Sequence, residues 1–213
     1  MPLIILFGPD GSGKTTLARA LIRELQKSGY NVSYVKMKSH HLMLYVLLKV
    51  LQKLNYVPKH HSPRVIDYSL RNIFKGGKIY LLLEFLNIML WNLLFVKPRL
   101  WRGDVVVADR FSTDSIVSLH IISGDIPNVY EKALLNLCRG SIAIYVRAEP
   151  SILLSRKTDE ELSEVYLQYL LALYDKIARK VAFVAKSLLI VDTTKLSRSQ
   201  VIRIVLEFTR KHL

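Results

Sequence analysis

The segment Gly8-Pro9-Asp10-Gly11-Ser12-Gly13-Lys14-Thr15, followed by Thr16, satisfies the spacing G-x-x-x-x-G-K-[ST] at every fixed position. Each residue type suits a polyphosphate. Glycines let successive backbone N–H groups turn inward around phosphate oxygens. The helix that must follow adds the positive end of its dipole. Lys14 is placed to reach the β- and γ-phosphates, and Thr15 to offer its hydroxyl to Mg²⁺. The loop predicts a nucleoside triphosphate site over Gly8 to Thr16. It names no reaction, but the chain has no N-K-x-D element to read guanine.

Two further groups carry charge where phosphoryl chemistry needs it. Asp109-Arg110-Phe111 follows an apolar run directly. In open α/β sheets ligands sit at the carboxyl ends of strands, so Asp109 can hold hydrated Mg²⁺ or orient an acceptor if its strand neighbours the first. Arg110 can clamp an acceptor phosphate by a two-pronged contact. Arg156-Lys157 stands in a charged break before Asp159, Glu160 and Glu161, which suits a lid near 155–162 that brings Arg156 over the transferred group.

Candidates for the acceptor side are weaker. Lys36 and Lys38 follow the second predicted strand and could receive an acidic acceptor. Glu84, Asn87 and Trp91 fall three and four apart, on one helix face, and are expected to line a pocket. His40-His41 and His60-His61 have no carboxylate at ligand spacing and read as solvated or capping residues. Cys138 reads as a small buried hydrophobe.

The elements that must position these residues alternate. Short apolar runs at Leu3–Phe7, Val32–Val35, Val105–Ala108, Ile142–Val146 and Leu188–Val191 read as strands. Helical patterns fill 14–28, 42–54, 65–75, 77–97, 112–122, 128–138 and 197–212, with a long helix ending near Ala185. Gly29 closes the first helix, Asn128 is expected to cap the sixth, and a loop covers 55–64. Alternation of this kind predicts one α/β domain over 1–213, with a five-stranded parallel sheet and helices on both faces.

Composition narrows the class. With 213 residues, 51% hydrophobic and 23% charged, the chain can bury a full core and is not globally disordered. One cysteine excludes a disulfide framework and multi-cysteine zinc sites. Thirty-one Lys+Arg against 17 Asp+Glu leave a net charge of +14, spread along the chain, which favours polyanions in general and nucleic acid only weakly. The N-terminus lacks the features of a signal peptide, so the expected location is cytoplasmic. Ile79–Val96 is apolar over 18 residues, but it contains Glu84, Asn87 and Asn92. It is expected to be a helix buried on most sides, in the core or a dimer interface, rather than a membrane span.

Several of these blocks, in order, resemble the thymidylate kinase superfamily of nucleoside monophosphate kinases. GPDGSGKTT is similar to its phosphate loop. KPRLWRGDVVVADRF resembles its K-P-x-L-x-x-G, strand, D-R-Y block, with Phe111 for Tyr. VRAEPSILLSRK resembles its fourth strand, proline and lid. The resemblance spans nearly the whole chain. It implies a P-loop NTPase fold, an ATP- and Mg²⁺-dependent kinase, and often a homodimer. Lys14, Asp109, Arg110 and Arg156 would then serve transfer, Thr15 and Asp109 the metal, and Asp192, Thr193 and Thr194 the adenine. The acceptor side would take Asp10 and Asp114 with the residues above.

The departures concern the acceptor. The family's thymine-reading Arg would fall at Ile88, and its nearby glutamine at Leu90. E-P-G-G is replaced by Lys36-Met37-Lys38-Ser39-His40, and Arg147 stands where Asp is common. These details, with Asp114 five residues after Asp109, resemble a branch often associated with surface-polysaccharide genes. The expected acceptor is a nucleoside monophosphate, with nucleosides, sugars and polyprenyl-linked groups left open. The rival readings are a 5′-end polynucleotide kinase, favoured by charge, and a non-catalytic nucleotide-binding partner of a membrane assembly, favoured by the apolar helices.

Overall fold

A computed structural model describes residues 2–37, 49–56, 78–156 and 163–213. Five strands form one parallel sheet: β1 (Leu3–Phe7), β2 (Val32–Lys36), β3 (Val105–Asp109), β4 (Ile142–Arg147) and β5 (Ser187–Asp192), in the order β2-β3-β1-β4-β5. β1 and β3 are buried along their whole length, as continuous apolar runs in the middle of a parallel sheet must be. The edge strands β2 and β5 are only partly covered.

The pleat splits the core in two. Leu3, Ile5 and Phe7 face one side with Ala108 and Tyr145, and there they pack under α2 (Lys78–Trp91), α4 (Ser112–Ser123) and α7 (Glu164–Ala182). Ile4 and Leu6 face the other side with Val107 and Ile144, against α1 (Lys14–Lys27) and α8 (Arg198–His212). In α1, Leu17, Leu21 and Leu25 repeat at four residues and make the buried stripe. Gly29, at φ +86, ends that helix: its N–H bonds Gln26 O, and Tyr30 N–H reaches back to Leu25 O, which satisfies the last carbonyls. Further helices among the described residues are α3 (Lys97–Trp101), α5 (Asn128–Asn136) and α6 (Pro150–Arg156).

Three expectations change. Asn128 does not cap α5. Pro127 holds the cap position and Asn128 is already helical, because Pro127 sets the extended turn that starts the helix. The long helix α7 stops at Ala182, three residues before the expected end. Within a single chain the apolar helix is not buried on most sides. It runs unbroken from Lys78 to Trp101, with a wider π-type turn at Asn92–Val96 ahead of Pro98, and 44% of its most apolar window is buried. Tyr80, Leu81, Ile88 and Trp91 face the core, while Ile79, Leu82, Leu86 and Leu93 are exposed. The predicted helix over 42–54 is seen as helix at 49–53. Lys38, both histidine pairs, the helix over 65–75 and lid residues 157–162 lie outside the described residues.

Candidate functional site

The phosphate loop leaves β1, the central strand, and enters α1. Its first glycine is fixed by contact. Gly8 has φ +140, and a Cβ there would lie 2.1 Å from the carbonyl oxygen of Val146 on β4, so any side chain would strike backbone. Lys14 is buried, and its ammonium donates to Gly8 O and Pro9 O, each at 2.6 Å, with Asp10 at 3.8 Å. Burial lowers its pKa, and the carboxylates of Asp114 and Asp10 oppose that shift. Lys14 thus folds back on its own loop, at the point where phosphate oxygens would replace the two carbonyls.

β3 lies directly beside β1, so Asp109 pairs in register with Leu6 and stands next to the loop. Asp109 is fully buried. Its Oδ2 accepts from the Thr15 hydroxyl at 2.6 Å and from the Tyr34 hydroxyl at 2.9 Å, while its Oδ1 has no hydrogen-bond partner among the described residues. Burial, helped by the hydrogen bond to Asp109, drives the Tyr34 phenol pKa well up, so Tyr34 stays a donor. Lys36, expected to face an acceptor, instead reaches this pair. Its Nζ is 3.3 Å from Asp109 Oδ2 and 3.2 Å from Thr15 Oγ1. The reason is register: Lys36 of β2 is the cross-strand partner of Asp109.

Arg110 adopts a left-handed conformation, φ +68, which is costly for a residue with a Cβ and turns its side chain back over the loop. There it forms an ion pair with Asp10. Burial works against its charge, but Asp10 and Asp114 outweigh that and raise its pKa, so the guanidinium stays charged. Asp114 is buried nearby. Its Oδ2 accepts from Phe111 N–H at 3.3 Å, and its Oδ1 from Tyr174 of α7 at 3.0 Å. Burial pushes the Asp114 pKa up, and Lys14 and Arg110 pull it back.

Two cavities are bordered by these residues. The one on the β4–β5 side, about 220 Å³, is bounded by Gly11, Ser12 and Gly13, by Thr16, and by Arg156 and Thr193. Arg156 spans it, donating to Gly11 O at 3.2 Å and to Thr193 Oγ1 and O at 3.1 Å each. The other, about 60 Å³, lies on the β2–β3 side among Met37, Tyr80, Glu84, Arg110, Asp114 and Ser118.

The expected site residues divide accordingly. Glu84, Arg110 and Asp114 come together as expected. Asn87 and Trp91 do not join them. They lie further along α2, buried at 3% and 5% exposure, and line neither cavity. Of the three residues expected at an adenine, Thr193 meets the phosphate loop. Asp192 pairs with Arg147 at 3.5 Å and, with Thr194, borders a separate hollow at the sheet edge. Among the described residues no cluster of three or more His, Cys, Asp or Glu is placed to hold a metal. Sequence reasoning missed Tyr34, Arg198, Val201 and Ile202. No motif marks them, and only strand pairing and the packing of α8 bring them in.

Comparison with known proteins bears on the fold. The family model described as MobB, molybdopterin guanine dinucleotide synthesis protein B, matches residues 3–46, the stretch that carries β1, the phosphate loop, α1 and β2. No curated protein matches the chain. Among solved structures, the YorR protein from Bacillus subtilis, crystallised in complex with phosphorylated GDP, is 18% identical. The match covers 98% of this chain and 95% of that one, with a TM-score of 0.55. The chain therefore has the P-loop NTPase fold, with the sheet order 2-3-1-4-5.

Proposed function

We propose that the protein is an ATP- and Mg²⁺-dependent kinase that transfers a phosphoryl group to a small acceptor, with a nucleoside monophosphate as the first candidate. One observation carries the reading. One cavity is bordered by the phosphate loop, and a second is lined by Arg110, which is ion-paired to Asp10 of that loop. A hydrolase needs one ligand site and a water, whereas a transferase needs two sites that meet at the transferred group. The ordered resemblance to thymidylate kinases and the phosphorylated nucleotide bound by YorR support the same assignment.

The roles follow from placement. The loop amides and Lys14 hold the polyphosphate and Arg156 closes over it. Arg110, released from Asp10, takes acceptor charge, and Glu84 and Asp114 border the acceptor's remainder. The Thr15 hydroxyl and Asp109, whose Oδ1 is a buried acceptor without a donor, fit a hard cation with oxygen ligands. Mg²⁺ bound there would neutralise charge on the β- and γ-phosphates. Each protein group acts by position and charge, and none forms a covalent intermediate.

The test is labelled ATP against a panel of nucleosides, monophosphates, sugars and oligonucleotide 5′ ends, run with Lys14→Ala alongside. Transfer to a monophosphate that disappears in the variant while the fold persists is the expected result. Undiminished turnover in Lys14→Ala refutes it. ATP binding without transfer to any acceptor favours the non-catalytic reading.

A further inference from the structure

Lys36 ends β2 at the strand's carboxyl edge, yet its ammonium lies inside the Thr15–Asp109 pair rather than in solvent. Among the described residues the Thr15 and Tyr34 hydroxyls donate to Asp109 Oδ2 and the Lys36 ammonium forms an ion pair with it, and of these three groups only Lys36 brings a charge. The Thr15 hydroxyl already donates to the carboxylate and accepts from the ammonium. The two side chains suited to a divalent cation are therefore bridged by a monovalent one that belongs to the protein.

We propose that Lys36 is a tethered counter-ion that fills the metal position in the nucleotide-free protein and sets its affinity for divalent cations. This rests on the reading of Thr15 and Asp109 as the metal pair. A divalent ion bound there is opposed by an ammonium a few ångströms away, because like charges repel strongly where the protein screens them less than water does. The lysine must leave first, and it can. Its side chain is 31% exposed, sits on an edge strand, and is carried on a flexible four-carbon stem. Free metal alone has little to offset the displaced ion pair. Metal that arrives with a polyphosphate does, since the phosphate oxygens supply further ligands and a new partner for the ammonium. The device favours the metal–nucleotide complex over sequential loading and keeps Asp109 neutralised between turnovers.

The probe is Mn²⁺ alone, titrated into nucleotide-free protein and followed by electron paramagnetic resonance. Lys36→Gln removes the charge, Lys36→Arg keeps it, and the double variant Lys36→Gln/Asp109→Asn removes the carboxylate as well. Circular dichroism and Tm confirm that each is folded, with Lys36→Met as a second neutral variant. Lys36→Gln and Lys36→Met should bind Mn²⁺ at least about tenfold more tightly than the parent, a difference of about 1.4 kcal/mol. Lys36→Arg should not gain, and the double variant should lose the gain. An affinity within about twofold of the parent in both neutral variants, or a gain that survives Asp109→Asn, overturns the proposal. A parallel titration with a non-hydrolysable ATP analogue tests the functional reading separately. If the parent binds no nucleotide that reading fails, while the Mn²⁺ comparison still decides the role of Lys36.

Discussion

Tyr174→Phe isolates one hydrogen bond to Asp114, which lines the cavity beside Arg110. The ring is buried at 6% exposure and stacks on Tyr145 at 6.1 Å, so phenylalanine keeps the packing and removes only the hydroxyl. That hydroxyl is the donor to Asp114 Oδ1 at 3.0 Å. Asp114 is itself buried and keeps weaker contacts at Oδ2, from Phe111 N–H and Thr113 Oγ1 at 3.3 Å each. A hydrogen bond to a charged, buried acceptor is worth about 1.5–3 kcal/mol, and its loss leaves Oδ1 bare. A loss near 2 kcal/mol lowers Tm by about 4–8 °C in a chain of this size. The pH dependence has a definite sign. Burial raises the Asp114 pKa above its unfolded value, so its contribution to stability is fully present below about pH 3.9 and is lost as pH rises through the folded pKa. Removing the donor raises the folded pKa further. The deficit of Tyr174→Phe must therefore be largest above the folded pKa, where Asp114 is ionised, and shrink on acidification. Urea unfolding of both proteins from pH 7.5 down to the limit of folding measures it, with Asp114→Asn as the second arm of a double-mutant cycle. A deficit that is independent of pH, or one that is undiminished in the Asp114→Asn background, refutes the account.

Three further outcomes are expected. Arg110→Ala should raise the acceptor KM or lower kcat while leaving ATP affinity within about threefold, and a collapse of ATP affinity would move Arg110 to the other substrate. Gly8→Ala should cost more than about 3 kcal/mol, because φ +140 and the contact with Val146 O are both closed to a Cβ, and thermal unfolding would expose a smaller cost as an error in the loop's packing. Thymidine monophosphate should be a weak acceptor, since Ile88 lies in the core at 2% exposure and Leu90 has no donor. A kcat/KM for it about a hundredfold above dUMP, dCMP and dGMP would require a dedicated base contact worth about 2.7 kcal/mol and would contradict this.

The parts of the fold legible in the sequence are those whose residues face one constraint. A strand buried on both faces must be apolar throughout, so Leu3–Phe7 and Val105–Ala108 stand out, and the turn around a phosphate admits only glycine at Gly8, so the loop does too. The edge strands are less distinct. β5 extends one residue past the apolar run at each end because half of it faces solvent or helix α8. The apolar stretch from 79 to 96 misled the burial estimate for a related reason. Hydropathy reports what a helix could bury, and on one face Ile79, Leu82, Leu86 and Leu93 are nevertheless exposed.

The site was legible wherever a motif is contiguous and obscure wherever it depends on strand order. Periodicity correctly puts Glu84, Asn87 and Trp91 on one face, but a face is a line some distance long, and of these three only Glu84, one turn after Tyr80, lines the cavity beside Arg110. Asp109 could be assigned to the loop only on the condition that β3 adjoins β1, and the sheet meets that condition. Lys36 shows the reverse. Read along the chain it is a basic residue after a strand, free to meet an acceptor. Read across the sheet it is the register partner of Asp109, and that pairing delivers its charge to the Thr15 hydroxyl. The same lysine one residue earlier or later would point to the opposite face of the sheet and leave the carboxylate without its ammonium. What β2 contributes to the chemistry is therefore decided by register, which two strands establish together and neither encodes alone.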